Sequence, residues 1–408
     1  MTDAIPVSVV VVSRGRPALL QRALTGIGQL WYPNFEIVVV ADEAGRDAVA
    51  AMGWQDRVKL AACDEANISK ARNIGIGLAA GEVVALIDDD AVPEPTWLTH
   101  LIAPFADPDV VQTGGFVRAR NGITFQWPVR AVDALGRTRK IDHAGTAPFT
   151  PDLRAGEAVK TEGTNMALRR AVITGIGGFD EAFRFYLDET DVNFRLATRK
   201  TVITPLAQVH HGFAGSESRR ANRGAADLTE IGASTAAYLR KHAKASEVEE
   251  TSNRLYSSQN RRLLGQMVDG TLSPDEIAPL LRTLENGIEQ GRRRDVGQPA
   301  DFSVPPPAFH TFSPATSGKS RILSGRFWNG RQLAREAQKG VAGGDVITVF
   351  RFSPTALSHR AAFNPKGYWE QWGGLFGRSD RGQPWFRWAR FGERVRKEQA
   401  RLLELRFK

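Results

Sequence analysis

The sequence predicts an α/β fold: a mostly parallel sheet flanked by helices, followed by a helical and mixed C-terminal extension. Three observations predict it. Continuous apolar runs at Ile5–Val12, Glu36–Val40 and Glu82–Ile87 have the pattern of strands covered on both faces. Between them, Pro17–Gln29 (Leu20, Leu24, Ile27) and Ile68–Ala80 have helical spacing, and Gly81 stops the second. Strand alternating with helix argues for parallel βαβ units. From residue 225 to 292 the pattern changes to helix alone.

Further elements follow in order. Val110–Val117 and Glu162–Leu168 read as strands, the latter entering a helix at Arg169–Thr174. Ser273-Pro274-Asp275-Glu276 opens a helix with an N-cap serine, proline at the first helical position and glutamate three residues after the cap. Gln298–Pro314, with five prolines, reads as an extended linker. Beyond it come a helix at Arg331–Lys339, a strand at Asp345–Phe352, and a last stretch of about 25 residues read as one basic helix. We expect a catalytic domain at 1–224, a helical extension at 225–298 and an α+β region at 299–408.

Composition narrows the class. A chain of 408 residues that is 42% hydrophobic is long enough for a real core, and disorder is excluded. One cysteine excludes a disulfide framework and makes a reducing, cytoplasmic setting the default. The apolar start is short and lacks a basic leader, so it reads as a strand, and no run suits a bilayer span. The net charge of +9 invites nucleic-acid or membrane hypotheses only if it is localised.

Four segments carry chemistry. Val83–Ile87 ends in Asp88, Asp89 and Asp90, three carboxylates at the carboxyl end of a buried strand, where open α/β sheets bind ligands. A divalent cation would relieve their repulsion, with a solvated acidic turn as the plain alternative. Asn67–Gly75 puts Lys70 and Arg72 on the first turns of a helix, an anion site. Gly75-Ile76-Gly77 lies inside that helix, which excludes a dinucleotide loop. Asp188, Glu189 and Asp191 cluster at a helix start, where Asp191 pairs most simply with Arg195 and either neighbour can take a proton from a hydroxyl, or merely cap the helix. His210-His211 in a glycine-rich context is a ligand pair or a structural one.

Taken in order, Val9–Pro17, Asn67–Gly75, Ala85–Asp90 with Pro93 and Trp97–Leu98, Gly163–Arg170, Gly177–Glu181, Asp188–Arg195 and His210–Ser216 resemble the family 2 glycosyltransferases, which have the GT-A fold and invert at the anomeric carbon. The resemblance covers about residues 5 to 220. It implies that Asp88 and Asp90 form an Asp-x-Asp pair holding Mg²⁺ or Mn²⁺ with His210 nearby, and that Asp90 is the direct ligand. It makes Glu189 the base, with Asp188 positioning the acceptor. Ser13, Arg14, Asp42, Arg72, Asp88 and Asp89 would contact the nucleotide sugar, and Gly163, Asn165 and Asp191 would lie on the acceptor side. Val40-Ala41-Asp42-Glu43-Ala44-Gly45 departs from the family's usual second-strand ending, which leaves the nucleotide unassigned. The implied partners are a nucleotide-diphosphate sugar donor and a glycan or lipid-linked acceptor.

Two rivals remain. A sugar nucleotidyltransferase would place a glycine-rich phosphate loop after the first strand, and Ser13-Arg14-Gly15-Arg16-Pro17 is too short. A nucleic-acid-binding protein would interleave bases and aromatics, and the first half has no such stretch, so no nucleic acid is expected. Residues 376–408 hold ten Arg and Lys against four Asp and Glu, so most of the positive excess is C-terminal. Trp388, Phe391, Val395, Leu402 and Leu405 form a stripe there, which either meets an anionic membrane surface or docks on the catalytic domain. Tyr368, Trp369 and Trp372 either contact a glycan or plug a loop, the second being the simpler expectation.

Overall fold

The computed structural model describes residues 4–212, 224–314, 316 and 318–407. The predicted strands form because their runs are mostly apolar and β-branched. β1 (Val7–Ser13) and β2 (Phe35–Ala41) are buried at every position, with Ser8 and Glu36 buried as a hydrogen-bonded pair between them, and β3 (Lys59–Ala62) lies beside β2. The helices between them are α1 (Pro17–Ile27) and α2 (Glu43–Ala51). Then come α3 (Ile68–Leu78) and β4 (Val83–Asp88), which pairs in parallel with β1. Gly75 lets α3 lie close on the sheet, since a Cβ there would stand 2.4 Å from the Val10 side chain. That packing role explains the glycine which, by sequence, resembled a dinucleotide loop.

Beyond β4 the chain adds β5 (Ala91–Pro93), α4 (Trp97–Ile102), β6 (Val110–Arg118) and β7 (Phe125–Trp127). β8 (Arg130–Asp133), β9 (Thr138–Lys140) and β10 (Glu157–Lys160) make a separate antiparallel sheet. They are followed by β11 (Met166–Arg169), α5 (Arg170–Gly175), α6 (Asp188–Arg195) and β12 (Lys200–His211). The main sheet runs β3-β2-β1-β4-β11-β6-β12-β5, with β7 paired to β6. The first four strands are parallel as expected; β11 and β5 enter antiparallel, so the second half is mixed.

Helices α7 (Thr229–His242), α8 (Ala245–Val268) and α9 (Pro274–Arg293) form the expected helical segment. At the start of α9 the Glu276 carboxylate accepts from both the backbone N–H and the hydroxyl of Ser273. The proline-rich stretch is no free linker. Phe302 packs against the core, and Phe312 is buried with its ring 5.5 Å from Phe35 and 4.9 Å from Trp54. The Phe312 N–H donates to the Phe35 carbonyl at 2.7 Å. Two buried aromatics outweigh the extended tendency of the prolines and strap the segment down.

The last part holds β13 (Ser320–Arg326), α10 (Gly330–Ala342), β14 (Val346–Ser353), β15 (Arg360–Asn364) and β16 (Tyr368–Gly374) in a sheet ordered β13-β14-β16-β15. Tyr368 and Trp369 are core residues of β16, so the glycan-facing alternative for them is set aside. The C-terminal segment is not one helix. It is α11 (Phe391–Ala400) and α12 (Leu403–Arg406), and Trp385–Arg390 is irregular. Arg394 points inward, 3.1 Å from Glu398 and 3.0 Å from His359 Nε2.

Burial first, and Arg394 second, hold the His359 imidazole well below its ordinary value. The unfolded chain takes up this proton below about 6.5 and the native protein does not. The stability it contributes is therefore complete above that pH and is lost as pH falls toward the depressed native value. We expect the melting temperature to fall between about pH 7 and pH 5, with His359 supplying up to about 1.4 kcal/mol per pH unit. His359→Gln should flatten the slope in a thermal melt series; an unchanged slope would exclude His359.

Candidate active site

The site forms where β1 and β4 end. Successive residues after a strand point to opposite sides, and the three aspartates divide accordingly. Asp88 looks into the cleft. Asp89 turns inward, fully buried, accepting from the Ser13 hydroxyl at 2.7 Å and facing Arg16 at 3.0 Å. Burial raises its pKa to about 7, with Arg16 and Ser13 opposing. Asp89 therefore ties the β1 and β4 ends together from within the fold, behind the cleft that Asp88 and Asp90 line. Asp90 lies 3.2 Å from His211 Nε2 and 3.9 Å from Arg16.

β12 pairs with β5 so that His211 stands opposite Ala91. Ligand atoms of Asp88, Asp90 and His211 all lie within 4.8 Å of one another. Two carboxylates and an imidazole form a donor set that fits Mn²⁺ or Mg²⁺ with open positions for phosphate oxygens. The expected ligand, His210, is on the other face of the strand. Its Nε2 bonds the Glu94 carboxylate at 2.7 Å, and its ring lies 4.7 Å from Trp369. Burial brings its pKa down to about 4, with Glu94 opposing, so the neutral ring donates Nε2–H. Strand alternation thus brings His211, and not the expected His210, beside Asp88 and Asp90.

Glu94 is also gripped by Arg406, with bonds of 2.6 and 2.7 Å. Burial works against the Glu94 charge, yet Arg406 and His210 hold its carboxyl well below the carboxylate range. Arg406 thus ties α12 directly behind β5 and the Asp88–Asp90–His211 cluster. Arg406→Ala leaves a buried carboxylate without its cation and should cost about 3 kcal/mol. Urea unfolding checks this, and a loss below about 1 kcal/mol would mean that the pair is screened by water.

The opposite wall is built on α3 and α6. Asn67 caps α3, its side chain accepting from the Lys70 N–H at 3.1 Å. Arg72, buried on the second turn, donates to Asp88 Oδ1 at 3.1 Å and to Asp188. Gly163 is required beside it, since a Cβ there would stand 2.4 Å from Arg72 Nη2. Leu187, with φ 65°, is the one non-glycine residue with positive φ among the described residues. Its left-handed turn costs on the order of 1–2 kcal/mol and is held by packing against Phe183 and Tyr238. That turn aims Asp188 and Glu189 into the cleft.

The two carboxyls differ in environment. Burial and the neighbouring Glu189 charge raise Asp188. Burial opposes ionisation of Glu189 too, but Lys160, bonded to it, wins and keeps it ionised. The two carboxyls titrate as a coupled pair, and Lys160 on one side and Arg72 on the other give them different partners.

Ser13, Arg14, Asp42, Arg72, Asp88, Asp90, Gly163, Asp188 and Glu189 line one cleft of about 1170 Å³. Asp42 also caps α2, its carboxylate accepting from Gly45 N–H at 3.0 Å and Gly15 N–H at 2.7 Å. Two expected acceptor-side residues are not in the cleft. Asn165 is buried, with its amide donating to the Phe116 and Ala207 carbonyls and accepting from Trp97 Nε1 at 2.8 Å. Asp191 is buried among Arg195, Lys241 and His242 and anchors α7. In both, those partners occupy the polar atoms of the side chain. Of the His210–Ser216 motif, 213–216 lie outside the described residues.

Sequence reasoning missed Arg16, Lys160, Trp127 and Phe185 in or beside the cleft. Arg16 had a signal, its place just after β1. Lys160 had none, being 29 residues from Glu189 and on β10 of the small sheet while Glu189 is on α6.

Residues 8–174 match the family model described as Glycosyl transferase family 2. The O-antigen biosynthesis protein RfbC of Myxococcus xanthus is 28% identical over 230 residues, 53% of this chain and 18% of that protein. The glucosyl-dolichyl phosphate glucuronosyltransferase of Haloferax volcanii is 32% identical over 158 residues, 36% of this chain and 47% of that protein. The N-acetylglucosaminyl-diphospho-decaprenol L-rhamnosyltransferase of Mycobacterium tuberculosis is 27% identical over 257 residues, 54% and 79% respectively. The matched region spans less than half the length of the first two relatives.

Proposed function

We propose, on the premise that residues 8–174 belong to glycosyl transferase family 2, that the chain moves a sugar from a nucleotide-diphosphate donor to an acceptor hydroxyl with inversion. The observation that carries the reading is the juxtaposition, across one cleft, of the Asp88–Asp90–His211 triad and the ionised Glu189, with Arg72 between them. A divalent cation held by Asp88, Asp90 and His211 would supply charge neutralisation to the leaving diphosphate. Glu189 accepts the proton of the acceptor hydroxyl as its oxygen bonds to the anomeric carbon. The bond from that carbon to the diphosphate oxygen breaks, and the nucleoside diphosphate leaves with the electron pair. Asp188, bonded to Arg72, positions the base, and Glu189 is the one base in this reading, so one in-line displacement accounts for the product and inverts the centre.

The acceptor is a glycan or a lipid-linked glycan in this reading, supported by the lipid-linked substrates in the names of two relatives and by Trp127 and Phe185 on the cleft wall. Such aromatic faces suit the CH faces of sugar rings. We assign the chemistry to residues 1–224, with 225–298 and 299–408 as supporting parts, and its setting to the cytoplasm, where the buried Cys63 stays reduced.

A thermal-shift screen of nucleoside diphosphates and nucleotide sugars with Mn²⁺ or Mg²⁺ tests the reading. At a ligand concentration of roughly 100 times Kd the stabilisation is about 2.7 kcal/mol. Cation-dependent stabilisation and release of sugar from one donor are expected. No stabilisation by any nucleotide, or pyrophosphate release from a nucleoside triphosphate, would overturn it.

A further inference from the structure

Most of the chain's charge excess is C-terminal, and the structure divides it in two. Arg394 and Arg406 are buried in ion pairs, and Phe391, Val395, Leu402 and Leu405 of the stripe pack around Phe350 and Phe352, so of that stripe Trp388 alone faces outward. What does face outward is the irregular segment before α11. Trp385, Phe386 and Trp388 are 69%, 56% and 74% exposed, although a folded chain has every reason to cover such rings. Arg381, Arg387 and Arg390 are exposed among them. Leu357, 66% exposed, belongs to the same surface, because a Cβ on Gly377 would overlap the Leu357 carbonyl.

The segment is held in place. Phe376 stacks on Trp388 at 5.0 Å and lies 5.5 Å from Phe386, and the Arg387 N–H donates to the Phe376 carbonyl at 2.9 Å. Arg378 sits 3.6 Å over the Trp385 ring. The acids nearby are few: Asp380 faces Arg401 at 3.3 Å, and Glu393 begins α11. Partial burial, with Arg387 and Arg394 close by, lowers the Lys397 ammonium below its ordinary value, in keeping with positive charge that acids do not balance.

We propose that this face, Leu357 with Trp385–Arg390, seats the protein on an anionic lipid bilayer. Tryptophan and phenylalanine rings beside arginines suit the headgroup boundary, where rings enter the apolar side and guanidinium groups meet lipid phosphates. Two other occupants fit less well. In a two-fold self-association the arginines would meet their own copies. Single-stranded nucleic acid needs open ring faces, and one face each of Trp385 and Trp388 is already covered. The inference rests on this surface alone and stands or falls independently of the reaction.

The test uses the full chain in co-sedimentation with phosphatidylcholine vesicles and with vesicles that also contain phosphatidylglycerol. Binding to the anionic vesicles is expected, weakened by salt, and brominated acyl chains should quench tryptophan fluorescence. Trp385→Ser with Phe386→Ser and Trp388→Ser should lower binding roughly tenfold or more and abolish the quenching. A second variant, Arg381→Ser with Arg387→Ser and Arg390→Ser, keeps the rings and should lose the preference for anionic lipid, so the inference remains testable if the first variant does not fold. Donor-sugar hydrolysis in the absence of vesicles should be unchanged in both variants. Failure to sediment at low salt, or sedimentation unaffected by both variants, overturns the proposal. So does salt-dependent binding to a single-stranded oligonucleotide in place of vesicles, or a dimer that the first variant dissociates.

Discussion

Replacing Glu189 with glutamine lowers turnover by about 10²–10⁴-fold, the usual contribution of a positioned base. Binding of nucleotide and divalent cation should persist, because Asp88, Asp90, His211 and Arg72 are untouched. The amide is close in size to the carboxylate but cannot take a proton. The choice of Glu189 over Asp188 rests on their environments: Lys160, bonded to Glu189, favours its charge against burial, while burial and the Glu189 charge raise Asp188. A companion variant checks the electrostatics. Lys160→Met removes the cation that depresses Glu189, so the acid limb of the pH–rate profile should move to higher pH. Single-turnover rates with saturating donor separate chemistry from binding. If the glutamine variant turns over at a near-native rate, the base is another group.

The residues that were legible in the sequence share a property: their neighbours along the chain decide what they do. β1, β2 and β4 are mostly apolar because they lie inside the sheet with both faces covered, and such a run needs no partner to be read. The place of Asp88 and Asp90 follows from the strand that precedes them, and that of Glu189 from the start of α6. What escaped was decided by contacts between distant residues. Asn165 and Asp191 carry the right chemistry for a cleft, yet Trp97 at one and Lys241 with His242 at the other draw them into the core. The tail was read as a single amphipathic helix, but Arg406 is paired with Glu94, 312 residues earlier, and no spacing rule reaches that far. The proline-rich stretch looked like a linker because prolines dominate its composition, whereas Phe302 and Phe312 dominate its energetics.

Asp90→Asn should cost at least about 100-fold in affinity for Mn²⁺ in the presence of a nucleoside diphosphate. Losing a mere supporting partner of a metal ligand costs about 10–100-fold, and Asp90 would be a ligand itself. The amide keeps one acceptor oxygen toward His211 but removes the negative charge that a divalent cation needs, while Arg16 keeps its closer partner Asp89 at 3.0 Å. The histidines then separate two geometries. His211→Ala should weaken the cation as Asp90→Asn does, since its ligand atom lies within 4.8 Å of both carboxylates. His210→Gln should instead lower stability by loosening the Glu94–Arg406 cluster and leave cation affinity close to native. Calorimetric titration with Mn²⁺, paired with a melt of each variant, reads both quantities. If His210→Gln abolishes cation binding while His211→Ala preserves it, the strand register that places His211 beside Asp90 is wrong, and with it the donor set on which the reaction depends.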